Sequence, residues 1–143
     1  MKTFFAVTIL ASVAATAPAL AAGDAAKGEK IFLKCRACHE IVSPDGDVIQ
    51  RGGKVGPNLF GVIGRQAGSY EDFKGYSTSM KEAGEKGLVW DEAHFTSYVQ
   101  DATGFLREYL GDDKARGKMT FKLTSGMEDI YAYLVSVDPN GAE

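Results

Sequence analysis

The sequence predicts an all-α domain in which modest helices and long loops wrap around something other than their own side chains. Three observations predict it. Apolar residues recur at helical spacing in several separate segments, and no βαβ pattern accompanies them. Glycines, 17 in all, and short polar turns occupy the stretches between. A chain of 143 residues, 45% apolar, suits one domain but offers few apolar side chains for a generous core. A large apolar group bound at the centre would fill that gap and make folding depend on it.

The elements follow in order. Lys2 precedes an almost wholly apolar run from Phe4 to Val13, then small residues ending in Ala19-Leu20-Ala21. This is the pattern of a secretory leader, too short to span a bilayer, with cleavage after Ala21 or Ala22. Residues 1–21 are thus expected to be a signal peptide and residues 22–143 the working domain, placed in the periplasm. Asp24 caps a helix reaching about Cys35, with Ile31 and Phe32 a turn after Gly28, whose lack of a side chain leaves room for another element. Ser43 to Asp47 is a turn, and Arg51 to Asn58 is irregular, rich in glycine and proline. A short helix is expected over Thr78–Ala83. Another runs from Asp91 to about Asp101 with Phe95, Tyr98 and Val99 on one face, and a further turn or two covers Phe105–Leu110. Gly111–Thr120 reads as a polar, basic loop. Ser125-Gly126-Met127-Glu128 has the form of a capping box for a last helix carrying Ile130, Tyr133, Leu134 and Val137, which stops before Asp138-Pro139.

The formal net charge is −3, one unit more negative once Lys2 leaves with the leader, which argues against nucleic acid as a partner. The charges are unevenly spread. Lys114, Arg116, Lys118 and Lys122 form a run without an acid, and Lys27, Lys30, Lys34 and Arg36 cluster similarly around Glu29 alone. Acids gather at Glu71, Asp72, Glu82, Glu85, Asp91 and Glu92, so an acidic chain can still own a basic face.

Cys35-Arg36-Ala37-Cys38-His39 carries the chemistry. Two thiols at this spacing can add across the two vinyl groups of haem, and the adjacent histidine then reaches the iron. A bare pair of cysteines would be ambiguous. Here there is no second pair, and His94 is the only other histidine, so a four-ligand zinc site lacks partners. His94 itself reads as an exposed helix position. Export agrees with haem attachment, since both cysteines are consumed. The opposite face of the iron needs a second ligand, and three methionines remain after the leader: Met80, Met119 and Met127. A thioether opposite imidazole favours ferrous iron and raises the potential. Met80 falls in a short helix and Met127 in the first turn of the last one; the loop around Met119 favours that residue, without excluding the others.

From Gly23 to about Val137 the sequence resembles class I cytochrome c, most of all the bacterial cytochrome c2 and c550 group. The resemblance rests on Cys35-Arg36-Ala37-Cys38-His39, Gly56-Pro57-Asn58-Leu59 with Gly64-Arg65, Phe73 with Tyr76, Trp90, Tyr98, and Lys118-Met119-Thr120-Phe121. It implies the class I cytochrome c fold, one covalently bound haem c, Met119 as the sixth ligand, and one-electron transport rather than catalysis. It further implies that the Pro57 carbonyl accepts a hydrogen bond from His39, that Arg65, Tyr76 and Trp90 surround the inner haem propionate, and that Tyr98 packs near the Met119 sulfur. Phe121 would flank the haem edge. Gly28 and Phe32 would meet Ile130 and Tyr133 where the first helix crosses the last. The implied partners are the cytochrome bc1 complex as donor and a photosynthetic reaction centre or terminal oxidase as acceptor, met transiently by a monomer.

Overall fold

The computed structural model describes residues 23–138, so the expected leader, residues 1–21, lies outside the described residues. Among the described residues the architecture is helical, and no helix is long and apolar enough to cross a membrane.

Helix α1 (Ala25–Phe32) starts where the sequence places it: the Asp24 carboxylate accepts from the Ala26 and Lys27 N–H groups at 3.0 and 3.1 Å. It ends at Phe32 rather than near Cys35. The chain tightens there into consecutive turns, with the Cys35 N–H donating to the Phe32 carbonyl at 2.8 Å and the His39 N–H to the Cys35 carbonyl at 2.9 Å. The expected turn at Ser43–Asp47 joins two very short strands that the sequence did not announce, β1 (Ile41–Val42) and β2 (Val48–Gln50). They pair antiparallel, Ile41 with Gln50 and Val42 with Val48, with an irregularity between.

Residues 64–67 then run beside 88–90, the Gly64 N–H donating to the Trp90 carbonyl at 2.9 Å and the Trp90 N–H to the Arg65 carbonyl at 3.0 Å. Between them lies α2 (Thr78–Glu85), capped by the Ser77 hydroxyl and extended past the expected Ala83. Glu82 pairs with Lys86 at 3.0 Å across its final turn. Helix α3 (Glu92–Gln100) is capped by Asp91, whose carboxylate accepts from the His94 N–H at 2.8 Å.

Two further sequence expectations need correction. The fourth helix, α4, covers Ala102–Leu110, a full turn earlier than the Phe105 start expected from its apolar residues. Asp101 adopts an extended conformation that breaks the chain direction after α3, and its carboxylate caps the new helix at the Gly104 N–H. The last helix, α5 (Met127–Val137), begins without a capping box, because its cap is Gly126 at φ 78° and no side chain bonds the first turn. Any Cβ at Gly126 would come within 2.4 Å of the Ile31 side chain, so position 126 is occupied for close approach, not for a hydroxyl. The Asp129 carboxylate instead accepts from the Asp24 N–H at 2.7 Å and locks the start of α5 to the start of α1.

Helices α1 and α5 form the main packing contact. Gly28 lies directly against the Asp129 backbone, and Phe32 packs against Tyr133 with ring centroids 5.9 Å apart. Phe32, Ile41, Leu88, Leu106 and Leu134 are the largest fully buried side chains. The centre between these helices and the loops is a cleft rather than a closed core.

Candidate functional site

The cleft has a volume of about 380 Å³ and is walled largely by core residues, Val62, Trp90, Phe95, Leu123, Ile130 and Leu134 among them. One side is built by the turns that follow α1. Those tight turns bring the Cys35 and Cys38 thiols and the His39 ring to the same wall. Burial pushes the Cys35 thiol up to about 11, helped by Cys38 and opposed by Lys34, so it is a neutral group in an apolar seat at neutral pH.

His39 is held with a defined orientation. Its Nδ1 lies 2.8 Å from the Pro57 carbonyl oxygen. A carbonyl only accepts, so Nδ1 carries the proton and Nε2 keeps the lone pair. Burial draws the His39 pKa below its ordinary value, with the Pro57 bond opposing, and the ring is therefore neutral and able to act as a donor to a metal. The ring sits directly against Gly56, where a Cβ would fall 2.2 Å from Cε1. Gly52 and Gly53 make equally close approaches to the His39 and Ala37 carbonyls, at 1.8 and 2.4 Å from an added Cβ. The glycines of 52–56, which the sequence marks only as loop, are thus the surface on which the cysteine–histidine turn rests. Their spacing just ahead of Pro57 was the available signal.

The lining also includes Met119. Its loop is tied down on both sides: the Arg116 N–H donates to Ser79 Oγ at 3.0 Å, the Gly117 N–H to Thr103 Oγ1 at 3.1 Å, and the Leu123 N–H to the Val99 carbonyl at 2.8 Å. Lys122 reaches Asp101 at 2.8 Å. Of the other methionines, Met80 also lines the cleft, buried on α2, whereas Met127 does not line it.

Arg65, Tyr76, Trp90 and Tyr98 line the cleft as well. Arg65 commits donors to the carbonyls of Gly61 and Asn58, each at 3.2 Å, and of Phe60, and its guanidinium lies 4.9 Å over the Tyr70 ring. Burial lowers its pKa, with Tyr76 and Tyr70 opposing, but an arginine remains charged throughout the ordinary pH range. Trp90 packs on Tyr98 with centroids 4.8 Å apart. Burial first, then the neighbouring Tyr76, pushes the Tyr98 phenol up to about 12. Burial likewise raises Tyr76, which Arg65 counteracts.

The structure therefore gathers Cys35, Cys38, His39, Pro57, Arg65, Tyr76, Trp90, Tyr98 and Met119 around one cleft. His94 lies elsewhere on α3, partly exposed, its ring edge-on to Tyr109 at 5.8 Å. Among the described residues no group of three or more His, Cys, Asp or Glu side chains assembles, so a zinc site finds no donor set. The donors fit a haem instead: two thiols beside an imidazole with a free Nε2, a thioether, cationic and phenolic groups, and apolar side chains, all lining one cleft. Residues that both line the cleft and are exposed mark its mouth. They are Lys34, Cys38, Val55, Lys118, Thr120 and Phe121, and the cleft lining contains no carboxylate. One residue from each basic cluster of the sequence, Lys34 and Lys118, thus lines the same opening.

No family model matches the chain. It is 56% identical over 139 residues to cytochrome c2 of Cereibacter sphaeroides, a match spanning 93% of this chain and 96% of that protein. The crystal structure of cytochrome c2 from Rhodobacter capsulatus is 53% identical and superposes with a TM-score of 0.78 over 80% of this chain and 98% of that one. Ferric cytochrome c-550 from Paracoccus versutus is 50% identical with a TM-score of 0.79, covering 82% and 99%.

Proposed function

The chain belongs to the class I cytochrome c family, in its cytochrome c2 and c-550 group, and on that premise we propose that it shuttles single electrons in the periplasm between membrane complexes, with His39 and Met119 as the residues that would ligate its haem iron. It is an electron carrier rather than an enzyme, and its cofactor is one covalently attached haem c. Bound in the cleft, the haem supplies an iron that gains or loses one electron while its ligands stay in place.

The chain's own residues do the rest. Cys35 and Cys38 would anchor the group through thioether bonds, and the Pro57 carbonyl, by holding the His39 Nδ1 proton, leaves Nε2 free to ligate its iron. The Met119 loop, pinned at Arg116, Gly117 and Leu123, would offer the thioether as a second ligand. Arg65, Tyr76 and Trp90 would supply N–H and O–H donors for a propionate, and Tyr98 would pack beside the methionine. The apolar walls exclude water, so surrounding dipoles shift little when the charge changes. The observation that carries this reading is the convergence of two thiols, one oriented imidazole and one thioether on a single apolar cleft.

The expected life cycle is export, removal of residues 1–21, and folding of residues 22–143 as one monomeric domain. The electron donor is the cytochrome bc1 complex, and the acceptor a photosynthetic reaction centre or a terminal oxidase. Lys34 and Lys118 at the cleft mouth would steer the protein onto acidic patches of those complexes. Lys118→Glu tests this. Its second-order rate of electron transfer with a purified bc1 complex or reaction centre should fall roughly tenfold at low ionic strength, and the difference should fade in high salt. A rate equal to that of the unmodified protein at every salt concentration would remove the basic mouth from the docking surface.

A further inference from the structure

One side chain beside the haem wall has no part in the function above. The Asn58 carboxamide pairs with both backbone groups of Val42: Oδ1 accepts from the Val42 N–H at 3.1 Å, and Nδ2 donates to the Val42 carbonyl at 2.7 Å. Oδ1 also accepts from the Phe60 N–H at 3.0 Å. The carboxamide thus imitates a rung of strand pairing on β1. On either side of this rung the backbone is stapled in the same sense, the Gly56 N–H donating to the Cys38 carbonyl at 2.8 Å and the Leu59 N–H to the Glu40 carbonyl at 3.0 Å. The His39–Pro57 bond of 2.8 Å lies within this ladder. The Pro57 carbonyl lies in the rigid peptide plane that it shares with Asn58. Its orientation is therefore tied to the Asn58 backbone, whose own carbonyl accepts from Arg65 Nη1 at 3.2 Å.

We propose that Asn58 is a positioning residue for the electron-transfer centre: its carboxamide, clamped on Val42, aims the Pro57 carbonyl at His39 and so sets the strength of that hydrogen bond and, through it, the reduction potential. The inference rests on the reading of His39 as an iron ligand. A well-aimed carbonyl draws the Nδ1 proton, increases electron donation from Nε2 and favours ferric iron. Loosening it weakens donation and raises the potential. Asparagine suits the position because it offers an acceptor and a donor at once. Aspartate would keep the acceptor but set a second acceptor against the Val42 carbonyl, and leucine would offer neither.

The alternative is that Asn58 merely stabilises a loop, and Gln50 provides the comparison. Gln50 also makes side-chain bonds from the same hairpin, donating to Tyr133 Oη at 3.0 Å and Glu29 Oε1 at 3.4 Å, without touching the Pro57 segment. The experiment uses reduced holoprotein and reads the solvent-exchange rate of the His39 Nδ1 proton by NMR together with the potential by voltammetry. Asn58→Leu and Asn58→Asp should each exchange at least tenfold faster than the unmodified protein and show a higher potential. Gln50→Leu should melt earlier yet leave both readings in place. Asn58→Asp preserves side-chain volume, so it carries the test if Asn58→Leu fails to mature. Wild-type exchange in the Asn58 variants, or an equal change in Gln50→Leu, overturns the proposal. An unmodified protein whose His39 ring protons lack the large upfield displacement of a ligand held over the porphyrin would instead overturn the ligand assignment.

Discussion

Replacing Met119 by alanine is expected to abolish the weak absorption at about 695 nm of the oxidised protein and to lower its reduction potential by on the order of 0.2 V. A thioether is a soft donor that favours ferrous iron, and its loss leaves water or a harder ligand, which favours ferric iron. The size of the effect follows from how the loop is held. Residues 116 and 117 are fastened to Ser79 and Thr103, and Leu123 to Val99, so the backbone between has little freedom to offer a replacement sulfur. Met80 is the control, since it also lines the cleft but sits buried on α2 behind the Ser77 cap. Met80→Leu should keep the band. Retention of the band in Met119→Ala together with its loss in Met80→Leu would transfer the ligand role to Met80.

The largest effect on folding is expected from Gly28→Val. A Cβ at this position would sit 2.0 Å from the Asp129 carbonyl oxygen and 2.7 Å from the Tyr133 Cβ. Neither neighbour is the flexible end of a side chain, so α1 must move off α5, separating Phe32 from Tyr133 and weakening the Asp24–Asp129 bond. Overpacking against backbone costs about 3 kcal/mol or more, which corresponds to a fall in melting temperature of roughly 10 °C or more for a domain of this size. Because α1 runs directly into Cys35, the displacement also misplaces the attachment turn. Thermal unfolding of the purified protein and the yield of coloured holoprotein measure the two consequences. A variant that melts within a degree or two of the unmodified protein would show that the two helices do not bear on each other at Gly28.

Where the sequence made the structure legible, a local rule and the global packing agreed. Asp24 is a cap residue placed just ahead of apolar periodicity, and it caps the helix expected of it; Asp91, expected as the first residue of its helix, proves to be that helix's cap. Gly28 showed as a small residue on an apolar face, and it is where α5 makes its close approach. The misses have physical reasons too. The hairpin strands are two and three residues long, too short for period-two patterning to register. The first turn of α4 contains Thr103 and Gly104, poor helix formers that hid a start enforced by the Asp101 cap. At Ser125 a plausible hydroxyl cap lost to tertiary contact between Gly126 and Ile31. For the site, the chemistry-bearing residues were visible because cysteine, histidine and methionine are scarce and their spacing restrictive. The glycines against His39 and the carboxamide of Asn58 were not, since their roles arise from what the folded chain brings beside them.

A porphyrin bonded to both cysteines should fill the cleft, and intact-mass spectrometry of the exported protein under denaturing conditions reads this without intermediaries. The expected species is a chain lacking its leader, heavier by one haem that denaturant does not remove, with neither Cys35 nor Cys38 open to alkylation. A polypeptide of unadorned mass with two alkylatable thiols would contradict it.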